Sequence, residues 1–185
     1  DLRVLASLQL DRVVTTAEIN AIGNTFGLPP VAGQPARCRQ TFFASSRPAS
    51  DLTIERGTLV GTQDGTRIYR AVERAVMLAS NADAYLNVAR RRYEITVAVE
   101  SVAVGSSANL PAFRINRFFT SVPGLDGTEN REAASGGSDN QSFAGYLNRI
   151  RRRFLGLAPE TGGGIITTIF ESAPQTIADV SLVYP

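Results

Sequence analysis

Three groups of side chains in this 185-residue chain have types and spacings that could do chemistry. Asp126, Glu129 and Glu132 crowd one turn-rich stretch, and glycoside hydrolysis needs two such carboxylates, one to donate a proton and one to attack or to activate water. The stretch "AASGGSDNQSFAGYLNRIRRRF", residues 133 to 154, runs a glycine pair into a helix start and then into arginines, the outline of a phosphate cradle or a polyanion surface. The triplets Arg90-Arg91-Arg92 and Arg151-Arg152-Arg153 offer guanidinium forks to phosphate backbone or to acidic partners.

Each chemistry requires more than the sequence supplies. A phosphate-binding loop needs two glycines five apart followed by Lys and Ser or Thr, and neither "SGGSDNQS" nor "TGGGIITT" has them. A dinucleotide site wants Gly-x-Gly-x-x-Gly, and "TGGGII" lacks the third glycine. All 19 basic residues are arginines, so the chain has no Schiff-base lysine, no imidazole base and no histidine metal ligand. Cys38 is the single cysteine, which excludes an internal disulfide and a cysteine zinc cage; it is expected to be a buried, inert thiol. Carboxylates are then the only bases left, and Asp and Glu are ordinary residues of turns. No catalytic, cofactor-binding or metal-binding residue is assigned.

The two arginine blocks carry no interleaved stacking aromatics, so they read as solvated faces or a protein interface, not as a nucleic-acid surface. Nineteen basic residues against 17 acidic ones give a formal net charge of +2, which does not argue for a polyanion partner. No apolar run reaches roughly 18 residues, so no membrane insertion is expected.

The elements that must position these groups follow from periodicity. "TTAEINAIGNTFGLPP" opens on a Thr N-cap and sets Ile19, Ile22 and Phe26 on one helix face, with Gly27, Pro29 and Pro30 as the stop. "VAGQPARCR" reads as a loop and "QTFFASS" as a short strand. In "DLTIERGTLVGTQDGTRIYRA" Leu52 and Ile54 alternate with polar residues, Gly57 turns the chain, and Asp64-Gly65 is a hairpin signal, so the stretch reads as a β-meander. The run "YEITVAVESVAVG", 93 to 105, alternates, with Ile95, Val97 and Val99 on one face and Glu94, Thr96 and Glu100 on the other. "INRFFTSVPGLDGTENREA" adds one or two strands broken by Pro123-Gly124 and Asp126-Gly127.

The period then changes. Phe143, Tyr146, Leu147, Ile150 and Phe154 fall on one stripe of a helix expected to begin near Ser138 or Asp139, either of which would cap it. Burying those five side chains is worth on the order of 10 kcal/mol before entropy. Arg149 and the last arginine triplet lie off the stripe, where the C-terminal end of a helix dipole favours positive charge. "ETGGGIITTIFESA" is read as a second helix and "IADVSLVYP" as a closing strand. Gly136 and Gly137 then serve a sheet-to-helix junction, which makes the glycine motif architectural.

Three blocks in order resemble the baseplate J-like family, wedge proteins of contractile-tailed phages. "PARCRQTFFASSRPASDLTIERGTLVGTQDGTRIYRA" is similar to its strand, Gly-Thr turn and Asp-Gly-plus-aromatic hairpin, through Gly57-Thr58, Asp64-Gly65 and Tyr69. "VAVGSSANLPAFRI" resembles a Gly-x-x-x-Asn-x-Pro segment, with Gly105, Asn109 and Pro111 in register. "VPGLDGTENREAASGGSDNQSFAGYLNRI" resembles a Pro-Gly turn, an Asn strand, and Gly-Gly-x-Asp opening a helix that carries Arg-Ile, here Gly136, Gly137, Asp139, Arg149 and Ile150. Glu55-Arg56 departs from the usual Pro-Ala, and Gln141 from an acidic residue.

The resemblance implies a non-enzymatic structural subunit of a virion tail baseplate, assembled in the host cytoplasm and requiring no cofactor. It implies partners among other wedge subunits, the tail hub and sheath-initiator proteins, as a homodimer or hetero-oligomer in a six-fold ring. The fold expected is α+β, a β-rich central domain of meander or sandwich type between N- and C-terminal helical segments, ending in a strand. The boundaries expected are 1–35 helical segment and linker, 36–132 β-rich core, 133–175 helical segment, and 176–185 strand, the start of a further domain in a longer parent chain. The β-rich core and the "VPGLDG" loop also admit a carbohydrate- or receptor-binding tail module, although no Trp is present to serve as a sugar platform.

Overall fold

The structure is a computed structural model that describes residues 15–155. The helix read at 160–173 and the closing strand fall outside the described residues, as does the side chain of Phe154. The chain divides into two compact units, one spanning Ala32–Asn140 and the other, in its described part, residues 15–31 and 141–155.

The Ala32–Asn140 unit is β-rich. Its strands are β1 (Pro35–Ala44), β2 (Leu52–Ile54), β3 (Leu59–Thr62), β4 (Ile68–Ala71), β5 (Ala75–Met77), β6 (Leu86–Asn87), β7 (Arg92–Val104), β8 (Ile115–Phe118) and β9 (Gly127–Asn130). Seven of them form one sheet in the order β8-β3-β4-β7-β1-β9, with β6 paired to β7. The long strands β1 and β7 are its spine, antiparallel from Pro35 opposite Val104 to Ala44 opposite Tyr93.

Alternation decides what faces inward. Phe42, Val60, Tyr69, Val97, Val99 and Ile115 are buried in one core, and Phe42 and Phe118 meet with ring centroids 5.9 Å apart. Tyr69 buries its ring there and donates its hydroxyl to the Ala108 carbonyl, so its polar tip does not go unsatisfied.

The sheet curls until β8 lies beside β9, and two amide side chains complete the closure. Asn130 accepts from the Ile115 amide at 2.8 Å through Oδ1 and donates through Nδ2 to the carbonyls of Pro111 (3.0 Å) and Glu132 (2.8 Å). The Asn130 carbonyl accepts from the Phe113 amide at 2.6 Å. Gln40, on the neighbouring strand β1, sends Nε2 to the Ile115 carbonyl at 2.9 Å and to Thr128 Oγ1 at 2.7 Å. Both amide residues are completely buried; Asn130 satisfies both ends of its amide, whereas Gln40 uses its Nε2 and leaves Oε1 without a protein partner among the described residues. The result is a nearly closed barrel in the α+β class.

Two expectations for this unit are corrected. "VAGQPARCR" is not all loop, because β1 begins at Pro35; arginines on its outer face disguise a strand whose inner face carries Ala36 and Cys38. The stretch 51–71 is not a simple meander, because β2 leaves the main sheet and pairs with β5, Leu52 opposite Met77. The Asp64-Gly65 hairpin between β3 and β4 and the alternating strand β7 stand as read.

In the other unit, α1 (Thr16–Thr25) starts on a reciprocal capping box between Thr15 and Glu18 and ends before Gly27, whose φ is +67°. Ile19 is buried, but Phe26 lies past the helix end and is 45% exposed, so it leaves the expected face. The second helix, α2 (Phe143–Leu155), begins beyond the Ser138 or Asp139 start that the sequence suggests. Ser142 caps it, its Oγ accepting from the Gly145 amide at 3.1 Å, while Asp139 and Ser138 are engaged elsewhere. Tyr146 and Ile150 pack with Ile19 in one buried cluster that Ile22, Leu28 and Leu147 flank. Phe143, expected on the buried stripe, is 37% exposed.

Candidate functional site

The two motifs read as separate turns, Gly105 to Pro111 and Gly136 to Asp139, meet in space. Gly105 follows β7 and leads into a 3-10 turn, Ser106–Ala108, that brings Asn109 against the glycine pair. The Asn109 side-chain amide then pairs with the peptide of Gly137 as another strand would, Nδ2 donating to its carbonyl at 2.9 Å and Oδ1 accepting from its amide at 2.8 Å. Asp139 accepts from the Ser106 amide at 3.0 Å and from the Ser106 hydroxyl at 2.6 Å, and these bonds hold its carboxyl below the usual range.

Both glycines of the pair are required there for different reasons. Gly136 has φ +85°, a left-handed conformation that disfavours any Cβ. Gly137 is fixed by close approach, since a Cβ would stand 2.5 Å from the Gly105 carbonyl oxygen and 2.9 Å from Asn109 Oδ1. A third strand of chain locks the junction. Gln34 and Ser138 exchange backbone bonds at 2.9 and 3.1 Å, Arg37 and Ser135 at 2.8 and 3.0 Å, and Leu110 and Ala134 at 3.1 and 2.8 Å. Pro111 enters through its carbonyl, which Asn130 holds.

The remaining motif residues lie at other turns of the same unit. Gly57 turns the chain before β3, with Thr58 bonded back to Glu55. Asp64 and Gly65 form the β3–β4 hairpin, in which Asp64 accepts from Thr62 Oγ1 and from the Thr66 amide and hydroxyl. Arg149 belongs to the helical unit, where it donates to the Pro29 carbonyl and lies over the Tyr146 ring at 5.3 Å; the Tyr146 hydroxyl donates to the Leu28 carbonyl at 2.7 Å.

Two of the three candidate hydrolytic carboxylates, Asp126 and Glu129, are bound, each by its own partners. Asp126 accepts from the Ser45 amide at 2.6 Å, and Glu132 faces Cys38. Glu129 is held by Arg90 at 3.0 Å, by Arg131 at 3.1 Å and by Arg92. A carboxylate held by three guanidiniums is engaged as the anchor of an ion-pair network. Among the described residues no cluster of three or more potential metal ligands forms.

Glu129 belongs to a charge network that the sequence reading did not find. Glu94 accepts from Arg92 at 2.6 Å, from Asn87 at 2.8 Å and from Arg131, and Arg92 stacks 3.8 Å above the Phe43 ring. Burial would raise the Glu94 carboxyl, but the bonds from Arg131, Arg92 and Asn87 outweigh it and hold it at about 2. The signal was present in β7, whose outer face carries Arg92 and Glu94, but the partners arrive from β9 and from Arg131. Cys38 is half-buried, not fully buried as expected, and burial, with the Glu132 carboxylate behind it, pushes its thiol up to about 12.

The sequence profile of the baseplate J-like protein barrel domain matches residues 40–137. That span contains Gly57, Asp64, Gly65, Gly105, Asn109, Pro111, Gly136 and Gly137, and leaves Asp139, Arg149 and α2 outside. No curated protein matches the chain. The fold is similar to a chain in a cryo-EM structure of the anti-feeding prophage baseplate, 6-fold symmetrised, with a TM-score of 0.52 and 14% identity over 94% of this chain. The match spans half of that baseplate chain's length. The barrel closed on Asn130, the interlocked turn motifs and the profile that covers them place the chain in the baseplate J-like family.

Proposed function

We propose that the chain is a structural baseplate wedge subunit of a contractile phage tail or a related contractile injection machine. In this reading it assembles around the tail hub, beside other wedge subunits and sheath-initiator proteins in a six-fold ring, and passes a conformational change to the sheath. Its place is the tail baseplate of the particle, and it works without catalysis. The observation that carries the reading is the junction in which Asn109 and Asp139 tie the family's two turn motifs together. Side chains that interlock two turns in this way hold a rigid body in shape, which is what transmission of force through a ring demands. The engagement of Asp126 by the Ser45 amide and of Glu129 by three arginines supports the non-enzymatic part.

Phe143 is the residue through which to test assembly. It is exposed, so Phe143→Asp removes an apolar contact without opening a core. The variant is expected to express as folded protein, by its circular dichroism and melting temperature, and to yield few complete particles. Normal particle yield would remove Phe143 from any interface. An electron-microscopic map of the particle tests the wider reading: density for this chain is expected next to the hub, and density in a peripheral fibre would overturn it.

A further inference from the structure

We propose that the cavity between the β3–β4 hairpin and residues 107–116 is a socket for an acidic side chain of a neighbouring protein subunit, an inference that rests on the assembly reading above. The cavity measures about 380 Å³ and is lined by Asp64, Arg67, Ser107, Phe113, Arg114 and Asn116 among others. None of the family motifs requires such a concavity, yet two of them build its walls.

The charge is unbalanced in favour of an anion. Arg67 is already fixed, Nε donating to the Ser107 carbonyl and Nη1 to the Thr66 carbonyl, both at 2.9 Å, so its remaining donors would bind with little further loss of side-chain freedom. Arg114 is exposed and has no carboxylate partner among the described residues. The acidic side chain on the lining, Asp64, spends its oxygens on Thr62 Oγ1 and on the amide and hydroxyl of Thr66. Two guanidiniums over one committed carboxylate leave the cavity net positive.

The rim supplies an apolar anchor. Phe113 has φ +64°, a left-handed conformation that a non-glycine residue rarely adopts, and the bond from its amide to the Asn130 carbonyl at 2.6 Å holds it there. Its ring is 52% exposed. Nearby, Arg117 donates to the Gln63 carbonyl at 3.0 Å and lies 5.1 Å over the ring of Phe119, itself 38% exposed. Exposed aromatics beside ordered arginines are the composition of protein-interface hot spots. A singly charged carboxylate fits the cavity better than a dianionic phosphate, because Asp64 stays ionised on its wall.

The chain has no lysine, and this makes the socket testable in the assembled particle. Arg114→Lys would introduce the one side-chain amine within these 185 residues, and a carbodiimide joins an amine to a carboxylate only at contact distance. Particles carrying Arg114→Lys are expected to give a cross-link from position 114 to an Asp or Glu of a second polypeptide, at least about ten-fold more than particles carrying Arg56→Lys, a substitution at another exposed arginine. Equal cross-linking at both positions, linkage only to Asp64 of the same chain, or linkage to a saccharide acid would each overturn the inference. Particles that contain the chain but show no link at 114 would overturn the socket and leave the wedge reading standing. Absence of the chain from particles would overturn both. Arg114→Glu is the second variant: an assembly yield reduced about ten-fold or more is expected, and an unchanged yield would count against the socket.

Discussion

Asn109 shows what a single side chain does in this barrel. It supplies a donor and an acceptor in the geometry of a peptide and so pairs with Gly137 where the main chain has no strand to offer. That pairing demands bare backbone opposite. Gly137→Ala is expected to destabilise the protein by about 1–3 kcal/mol, because the new methyl meets the fixed Gly105 carbonyl and not the end of a flexible side chain. The shift in urea midpoint at unchanged slope measures it. Cys38 makes a second prediction at this scale. With its thiol at about 12, alkylation by iodoacetamide at pH 8 is expected to be slower than in the urea-unfolded chain by roughly a hundred-fold or more. Equal rates in the two states would show the thiol to be accessible and ordinary.

At the scale of elements, the barrel is closed by side chains where its ladder ends. Asn130→Ala strips partners from the Ile115 amide and from the carbonyls of Pro111 and Glu132, all near the β8–β9 approach. A loss on the order of 3 kcal/mol is expected from thermal unfolding, since buried groups left unpaired cost more than a hydrogen bond gains. What the sequence revealed about elements follows the range of the forces involved. The threonine N-cap of α1, the Asp64-Gly65 hairpin and the alternation of β7 are local, and all were legible; the reciprocal bond to Glu18 was not. The start of α2 was misplaced because Asp139, a good cap by type, is claimed by Ser106, 33 residues away. The pairing of β2 with β5 and the inward turn of Gln40 and Asn130 depend likewise on partners distant in sequence, and no window of neighbouring residues contains them.

For the molecule as a whole, charge is organised as pairs on the barrel's outer face. Glu94, with a side chain only 9% exposed, has the deepest depression among these carboxylates, from its ordinary 4.5 to about 2. Its folded-state value lies below the unfolded one, so the stability it contributes is full above pH 4.5 and is lost as pH falls toward 2. Asp64, Glu100, Asp126 and Asp139 are shifted in the same direction. The urea midpoint is therefore expected to fall steeply across that window. Glu94→Gln is expected to start lower at pH 7 and to fall less, and a parallel decline in both proteins would sever Glu94 from the effect.

The closure on Asn130 and Gln40 has a bearing on crowding. Strands that end at a sheet's margin usually present bare amides and carbonyls, and those invite another molecule's strand to add on. Here the margins of β8 and β9 turn toward each other, and two amides occupy the groups that would otherwise be offered. Those margins therefore offer no template to a strand of another molecule, however closely it is held, and recognition there is left to the displayed side chains.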